Sequence, residues 1–406
     1  MVDVAVTQRQ TLVLRYADVG VVTYASLRVV GQPSCTVTWA IEDPVVVEAL
    51  EKLSAALPDP QGAETQRDAV ERAIATGPFA SPAAEFELAR ELGVRLLTAE
   101  AWQLVIDRVA SPRAALFISP SARLARIPWA SLAVPGDDGF RLLELVDVLM
   151  AAPPNIVNGT RTPVGWGDRR DRPPLLILDP RVPGQRPDSP LGSVLGRPSP
   201  DTPLARHFGE LMSQRPVLPT AATAVELFRR TDAGRAWLAN LLLQRPSRLL
   251  YVGHATAADG DVGHADRAAL HLADERPLTA SDFMVAGLQL PPRVALVACA
   301  SGGDYQFDEA TGLVAAMILG GAQLVTATLW SLPTAAGYRQ FADVAPKCDP
   351  MADAIIAVDR AHEEPEAGSA VNRWQREQMR RWRDGDVTAS PLYWAALVTF
   401  AVDGVR

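Results

Sequence analysis

The chain has 406 residues, 48% hydrophobic and 21% charged, the make-up of a folded globular protein and not of a disordered one. Its net charge of −8 gives no global attraction to nucleic acid or to an anionic membrane. Three widely spaced cysteines, Cys35, Cys299 and Cys348, argue against a disulfide framework or a zinc site and favour a reducing, cytoplasmic setting.

The first residues, MVDVAVTQRQ, lack the layout of a signal peptide. Strand-like pieces follow in TLVLRY, VVTYASLRVV and CTVTWAI. DPVVVEALEKLSAAL then predicts a helix capped by Asp43 with a proline just inside it, and two more helical stretches follow. Residues 1–84 therefore read as a small N-terminal β/α appendage, and residues 85–406 as the main domain.

From about residue 112 short apolar runs alternate with helices, the pattern of a mostly parallel sheet with helices on both faces. AALFIS and PPLLILDP are two such strands. Between PPLLILDP and the next helix, residues 181–203 are crowded with Pro, Gly, Ser and Asp and read as a mobile insertion. TAVELFRR and GRAWLANLLL are read as helices. Further on, Ala310–Tyr338 carries no charge and exceeds the length of a membrane span. Gly320-Gly321 in its middle makes a helix, a turn and a buried strand the better reading.

Two strands carry the candidate chemistry. RLLYVG runs into His254, and RVALVA runs into Cys299, 45 residues later. That separation accommodates a crossover helix, TASDFMVAGL, and a parallel return, so both side chains would reach the same carboxyl edge of the sheet, where reactive groups gather. A thiol with an ordinary pKa of about 8.5 needs an adjacent imidazole to act as a nucleophile at neutral pH. The small residues ASGG after Cys299 let backbone N–H groups approach a developing oxyanion. Spacing alone leaves a second reading open, two strand ends with a buried thiol and a satisfied histidine.

Several segments bear on that choice. LFISPSARLARIPWASL, LLILDP, AALHLADERPLTASDF, VALVACASGG, DEATGLVAAMILGGAQLVTATLWSL and SPLYWAALVTF together resemble, in order over roughly residues 85–402, the CHAT family of caspase-like cysteine peptidases, distant relatives of separases. The resemblance implies a caspase-like three-layer α/β sandwich, with Cys299 as nucleophile and His254 as general base and acid. It places the oxyanion donors on the backbone of Ala255 and Cys299. It also implies a dedicated protein substrate, in a bacterial defence or cell-death system, and an activating partner protein. The rival is a catalytically silent interaction module of the same fold.

Two departures from the family pattern matter. The family has Gly after its histidine where this chain has Ala255, and a positive φ there would cost about 1 kcal/mol. Basic-specific relatives carry an acidic residue four positions after the LW tryptophan, where this chain has Thr334, so a P1 side chain other than Arg or Lys is expected. Asp304 and Asp308 are nearby carboxylates that could substitute, or simply charges at the start of the following helix.

Other residues carry weaker expectations. His271 alternates with leucines and points off an apolar face, and His207 and His362 lack metal-ligand spacing. Arg373, Arg376, Arg380 and Arg383 share one helical face beside Trp374 and Trp382, which suits nucleic acid, an acidic partner or, more simply, a solvated face. No membrane, nucleic-acid, metal or cofactor requirement is read from the sequence, and no glycine-rich phosphate loop is present.

Overall fold

The computed structural model describes residues 9–110, 112–136, 139–186, 189–256, 267–298 and 312–406. Its centre is a ten-stranded sheet of β1 (Thr11–Val19), β2 (Val22–Val29), β3 (Gln32–Glu42), β4 (Ala115–Ser119), β5 (Asp147–Ala151), β6 (Leu175–Leu178), β7 (Arg248–Gly253), β11 (Arg293–Ala298), β12 (Leu324–Thr328) and β13 (Leu397–Ala401). The short strands β8 (Ala255–Thr256), β9 (Ala269–Leu270) and β10 (Leu278–Thr279) form a separate sheet. The order across the large sheet is β3-β2-β1-β4-β5-β13-β12-β11-β7-β6. Its described pairs are parallel except β12–β13 and the N-terminal β1–β2–β3 meander.

The apolar runs account for this arrangement. β6, β7, β11 and β12 are buried at every position, as strands covered on both faces must be. β1 and β2 alternate instead, burying Leu12, Leu14 and Tyr16 on one side, because only one of their faces is covered. β1 pairs parallel with β4, so residues 9–84 extend the main sheet and share its core. Tyr16 stacks on Trp129 at 5.0 Å and donates its hydroxyl hydrogen to Leu96 O at 2.9 Å, which ties β1 to the main body.

Local signals are met with shifts of a residue or so. The first long helix starts at Asp43 itself, whose carboxylate pairs with Arg123 at 2.5 Å instead of capping. TAVELFRR is not a regular helix. It makes one 3-10 turn, Ala224–Leu227, and is broken by Arg229 in the left-handed region at φ 52°. The charge-free stretch is a short helix, Leu313–Leu319, then Gly321 at φ 112°, then β12. Only glycine adopts that φ without strain. Among the described residues no helix is long and apolar enough to cross a membrane.

At the amino edge of the sheet β7 and β11 each begin with a buried arginine, Arg248 beside Arg293. The helix Pro350–Ala361 and the turn after it receive both. Arg248 pairs with Asp359 at 2.6 Å and Glu363 at 2.7 Å, and Arg293 donates to the carbonyls of His362, Glu364 and Pro365. The face of Trp166 lies 3.9 Å from the Arg293 guanidinium carbon. His207 bonds Asp359 at 2.8 Å, so its role is structural.

His362 is fully buried, with Nε2 2.8 Å from Thr326 Oγ1. Burial, then Arg293 and Arg248, hold its pKa down at about 3. In the unfolded chain a histidine titrates near 6.5, so below that pH the unfolded state takes up a proton that the folded state refuses. This contribution to stability is complete above pH 6.5 and is lost as pH falls toward 3, at roughly 1.4 kcal/mol per unit. The substitution His362→Gln is expected to flatten that slope, bringing urea midpoints at pH 7 and pH 5 closer together than in wild type.

Candidate active site

Strands β6, β7 and β11 run parallel and end together. Leu178 pairs with Val252, and Gly253 pairs with Ala298 as the last rung between β7 and β11. The residues that follow are Asp179, His254 and Cys299. Cys299 lies outside the described residues, as do Asp304 and Asp308. The residue before it, Ala298, is in register with the residue before His254.

Two hydroxyls hold the ends of these strands. Tyr251 donates to His254 O at 2.7 Å and lies 2.8 Å from His271 O, while Thr328 donates to Ala298 O. The His254 carbonyl also accepts from His271 N at 3.0 Å. His254 itself is half-buried, with Nε2 3.0 Å from Gly192 O. A carbonyl only accepts, so Nε2 carries the proton and Nδ1 keeps its lone pair. Nδ1 has no hydrogen-bond partner among the described residues. Burial pushes the imidazole pKa down, opposed by the Gly192 carbonyl and Asp179 and assisted by Arg229. The ring is thus a neutral base at neutral pH.

Gly192 is held in turn. Asp179, fully buried and at φ 51°, accepts from Ser193 Oγ at 2.6 Å and from the N–H groups of Val194 and Leu195 at 3.3 Å. Arg229 Nη1 bridges Asp179 at 3.2 Å and Gly192 O at 3.1 Å. The 181–203 segment, expected as a mobile insertion, is therefore strapped down by its middle and supplies the acceptor for His254. Sequence reasoning missed Gly192, Asp179 and Arg229. The LDP at the end of β6 was the available signal.

Ala255 is compatible with a donor role. The left-handed non-glycine residues of the described chain are Asp179, Arg229, Arg245 and Asp403, so the feared strain at Ala255 does not arise. Ala255 lies in β8, opposite Leu270 of β9. Because His271 N bonds His254 O, alternation along the antiparallel ladder turns the Ala255 N–H away from β9, on the open side of an edge strand.

Thr334 is otherwise engaged. Its hydroxyl accepts from Gly337 N at 3.1 Å and caps the helix Ala335–Phe341. Thr334→Ala is expected to lower stability by about 1 kcal/mol while Thr334→Asp, which keeps a capping oxygen, leaves the melting temperature nearly unchanged in a thermal scan. His271 is half-buried with its Nε2 2.5 Å from Thr256 Oγ1, and burial, then the nearby His254, lower its proton affinity. His271 is thus nearer the site than its alternation suggested.

The arginine face of the helix Ala367–Arg383 is not a bare cationic surface. Arg376 is buried and pairs with Asp147 at 2.7 Å, Arg383 with Glu144 at 2.7 Å, Arg373 with Glu364 and Arg380 with Glu377, both at 2.6 Å. Trp382 is buried and Trp374 half-buried. Among the described residues no group of three or more His, Cys, Asp or Glu is placed to hold a metal ion.

Comparison with known proteins gives one family. The CHAT domain model matches residues 87–401. Two solved structures of the Saccharomyces cerevisiae separase–securin complex, at 2.6 and 3.0 Å resolution, match with 12% identity and TM-scores of 0.47 and 0.45. Each match covers 97% of this chain and 30% of the other, so the chain spans under a third of the protein it resembles there. No curated protein matches the sequence.

Proposed function

Because the chain belongs to the CHAT domain family, we propose that it is a cysteine endopeptidase with Cys299 as nucleophile and His254 as base and acid. The observation that carries this reading is the register of β7 and β11, Gly253 opposite Ala298, with the next residue of one strand a tethered histidine and of the other a cysteine. His254 Nδ1 takes the thiol proton, and the thiolate sulfur bonds to the scissile carbonyl carbon. The oxyanion is met by the N–H groups of Ala255 and Cys299. The imidazolium returns its proton to the leaving amine as the C–N bond breaks. A water molecule, deprotonated by the same imidazole, then cleaves the thioester and restores the thiol.

The absence of an acidic residue at Thr334 supports a P1 side chain without positive charge, with Asp304 and Asp308 the carboxylates that would reverse this. Family membership supports a dedicated protein substrate, an activating partner, and a role in bacterial defence or cell death, in the cytoplasm. No cofactor enters the proposed chemistry.

The test is a search for new N-termini by mass spectrometry in a bacterial protein extract treated with wild type or Cys299→Ala. Termini made only by wild type support the peptidase and report its P1 residue. If none are made, and Cys299 also alkylates with an ordinary pKa, the chain is the silent interaction module instead.

A further inference from the structure

We propose that Asp179 and Arg229 are positioning residues that hold the Gly192 carbonyl against His254 and set how the imidazole presents its free nitrogen. The proposal rests on the reading of His254 as the base. Neither residue touches a reacting atom, and both act through the strap Gly192–Leu195.

Three observations converge on the pair. First, Asp179 and Arg229 are both held in the left-handed region, at φ 51° and 52°. Residues with a Cβ persist there only where their surroundings over-determine them, and such positions gather at functional sites. Second, the Asp179 carboxylate is fully buried and spends its acceptor capacity on consecutive groups of one loop, Ser193 Oγ, Val194 N and Leu195 N, plus Arg229. A buried charge so used fixes the path of that loop. Third, the Gly192 carbonyl receives two donors, His254 Nε2 at 3.0 Å and Arg229 Nη1 at 3.1 Å. A carbonyl oxygen has two lone pairs, so both are occupied and the group cannot swing without breaking a charged bond.

The arrangement also places opposite charges around the ring. Asp179 follows β6, Arg229 follows the turn Ala224–Leu227, and His271 follows β9; Cys299 lies outside the described residues. Burial disfavours the protonated imidazole, Asp179 favours it and Arg229 disfavours it. A strap that merely filled space would have a different signature from one that bears these charges. Loosening it by either substitution would admit water and move His254 up toward its ordinary value in both variants.

The experiment uses the full chain with Asp179→Asn, Arg229→Gln and Arg229→Lys. Asn tolerates the left-handed conformation, so the first variant keeps the backbone. The readouts are the His254 ring titration by NMR, assigned with His254→Ala, and the rate of Cys299 alkylation by iodoacetamide at pH 7. The titration midpoint is expected to fall in Asp179→Asn, rise in Arg229→Gln and stay in place in Arg229→Lys. Alkylation should slow about tenfold in the two charge-removing variants. A midpoint that rises in Asp179→Asn, or in Arg229→Lys, overturns the proposal, and should Asp179→Asn not fold, the lysine variant alone decides. If wild-type Cys299 behaves as an ordinary thiol while the opposite shifts persist, the peptidase reading fails and the strap stands.

Discussion

Replacing His254 by alanine is expected to lower turnover by about 10²–10⁴-fold, the range in which a positioned acid–base residue contributes. The same change should return Cys299 to an ordinary thiol of pKa about 8.5, of which only about 1% is ionised at pH 6.5. Iodoacetamide labelling of Cys299 across pH 6–9, read by peptide mass spectrometry, separates the two states. In wild type the rate at neutral pH should exceed that of the variant, because the neutral imidazole takes the thiol proton as the sulfur reacts. In the variant it should climb with pH as the free thiol titrates. The direction follows from His254: burial keeps the imidazole neutral, Gly192 keeps the proton on Nε2, and the remaining lone pair is free to take the thiol proton. Identical pH profiles in the two proteins would mean that thiol and imidazole are not paired.

Arg248→Met should be the most damaging single substitution at the other edge of the sheet, costing about 3–5 kcal/mol in a guanidinium unfolding titration. Arg248 and Asp359 are 1% and 2% exposed, and the pair is reinforced by Glu363 and His207. Removing the guanidinium leaves Asp359 buried, with His207 as its remaining side-chain hydrogen-bond partner among the described residues. Burial by itself would push the Asp359 carboxyl up, but Arg248 and His207 pull it below the usual range. Its contribution is therefore present above the unfolded carboxylate pKa of about 3.9 and is lost as pH falls through the lower folded value. The double variant Arg248→Met, Asp359→Leu should recover much of the loss, because two apolar side chains of similar volume replace both charges. No recovery would mean that the arginine stem, and not the ion pair, holds the helix Pro350–Ala361 on the sheet.

How much of this was legible before folding differs by element. The apolar runs 248–253 and 293–298 announce buried parallel strands, and their terminal residues announce the candidate dyad, because strand period and burial are local properties. The break at Gly320-Gly321 was equally plain. The rung that puts Gly253 beside Ala298 was not, since register depends on partners 45 residues away. Nor was the addition of β1 to β4, a pairing across about a hundred residues that hold β2, β3 and several helices. The arginine face at 373–383 was visible from spacing, but spacing cannot say that Asp147 and Glu144 wait opposite Arg376 and Arg383. The strap was least visible of all. Its working parts are a backbone carbonyl and two left-handed residues, and neither has a residue-type signature outside glycine.

β13 has a bearing on how the molecule is made. This strand, Leu397–Ala401, lies between β5 and β12 and, among the described residues, is the strand that joins β3-β2-β1-β4-β5 to β12-β11-β7-β6 in one sheet. On a ribosome adding roughly 5–20 residues per second, every other strand of the sheet has been synthesised before its keystone emerges. Until then two half-sheets each carry an open inner edge, at β5 and at β12, of the kind that pairs with whatever strand is nearest. A nascent or truncated chain ending before Leu397 is thus a candidate for chaperone capture or aggregation, and the strands bearing the histidine and the cysteine belong to the half that waits.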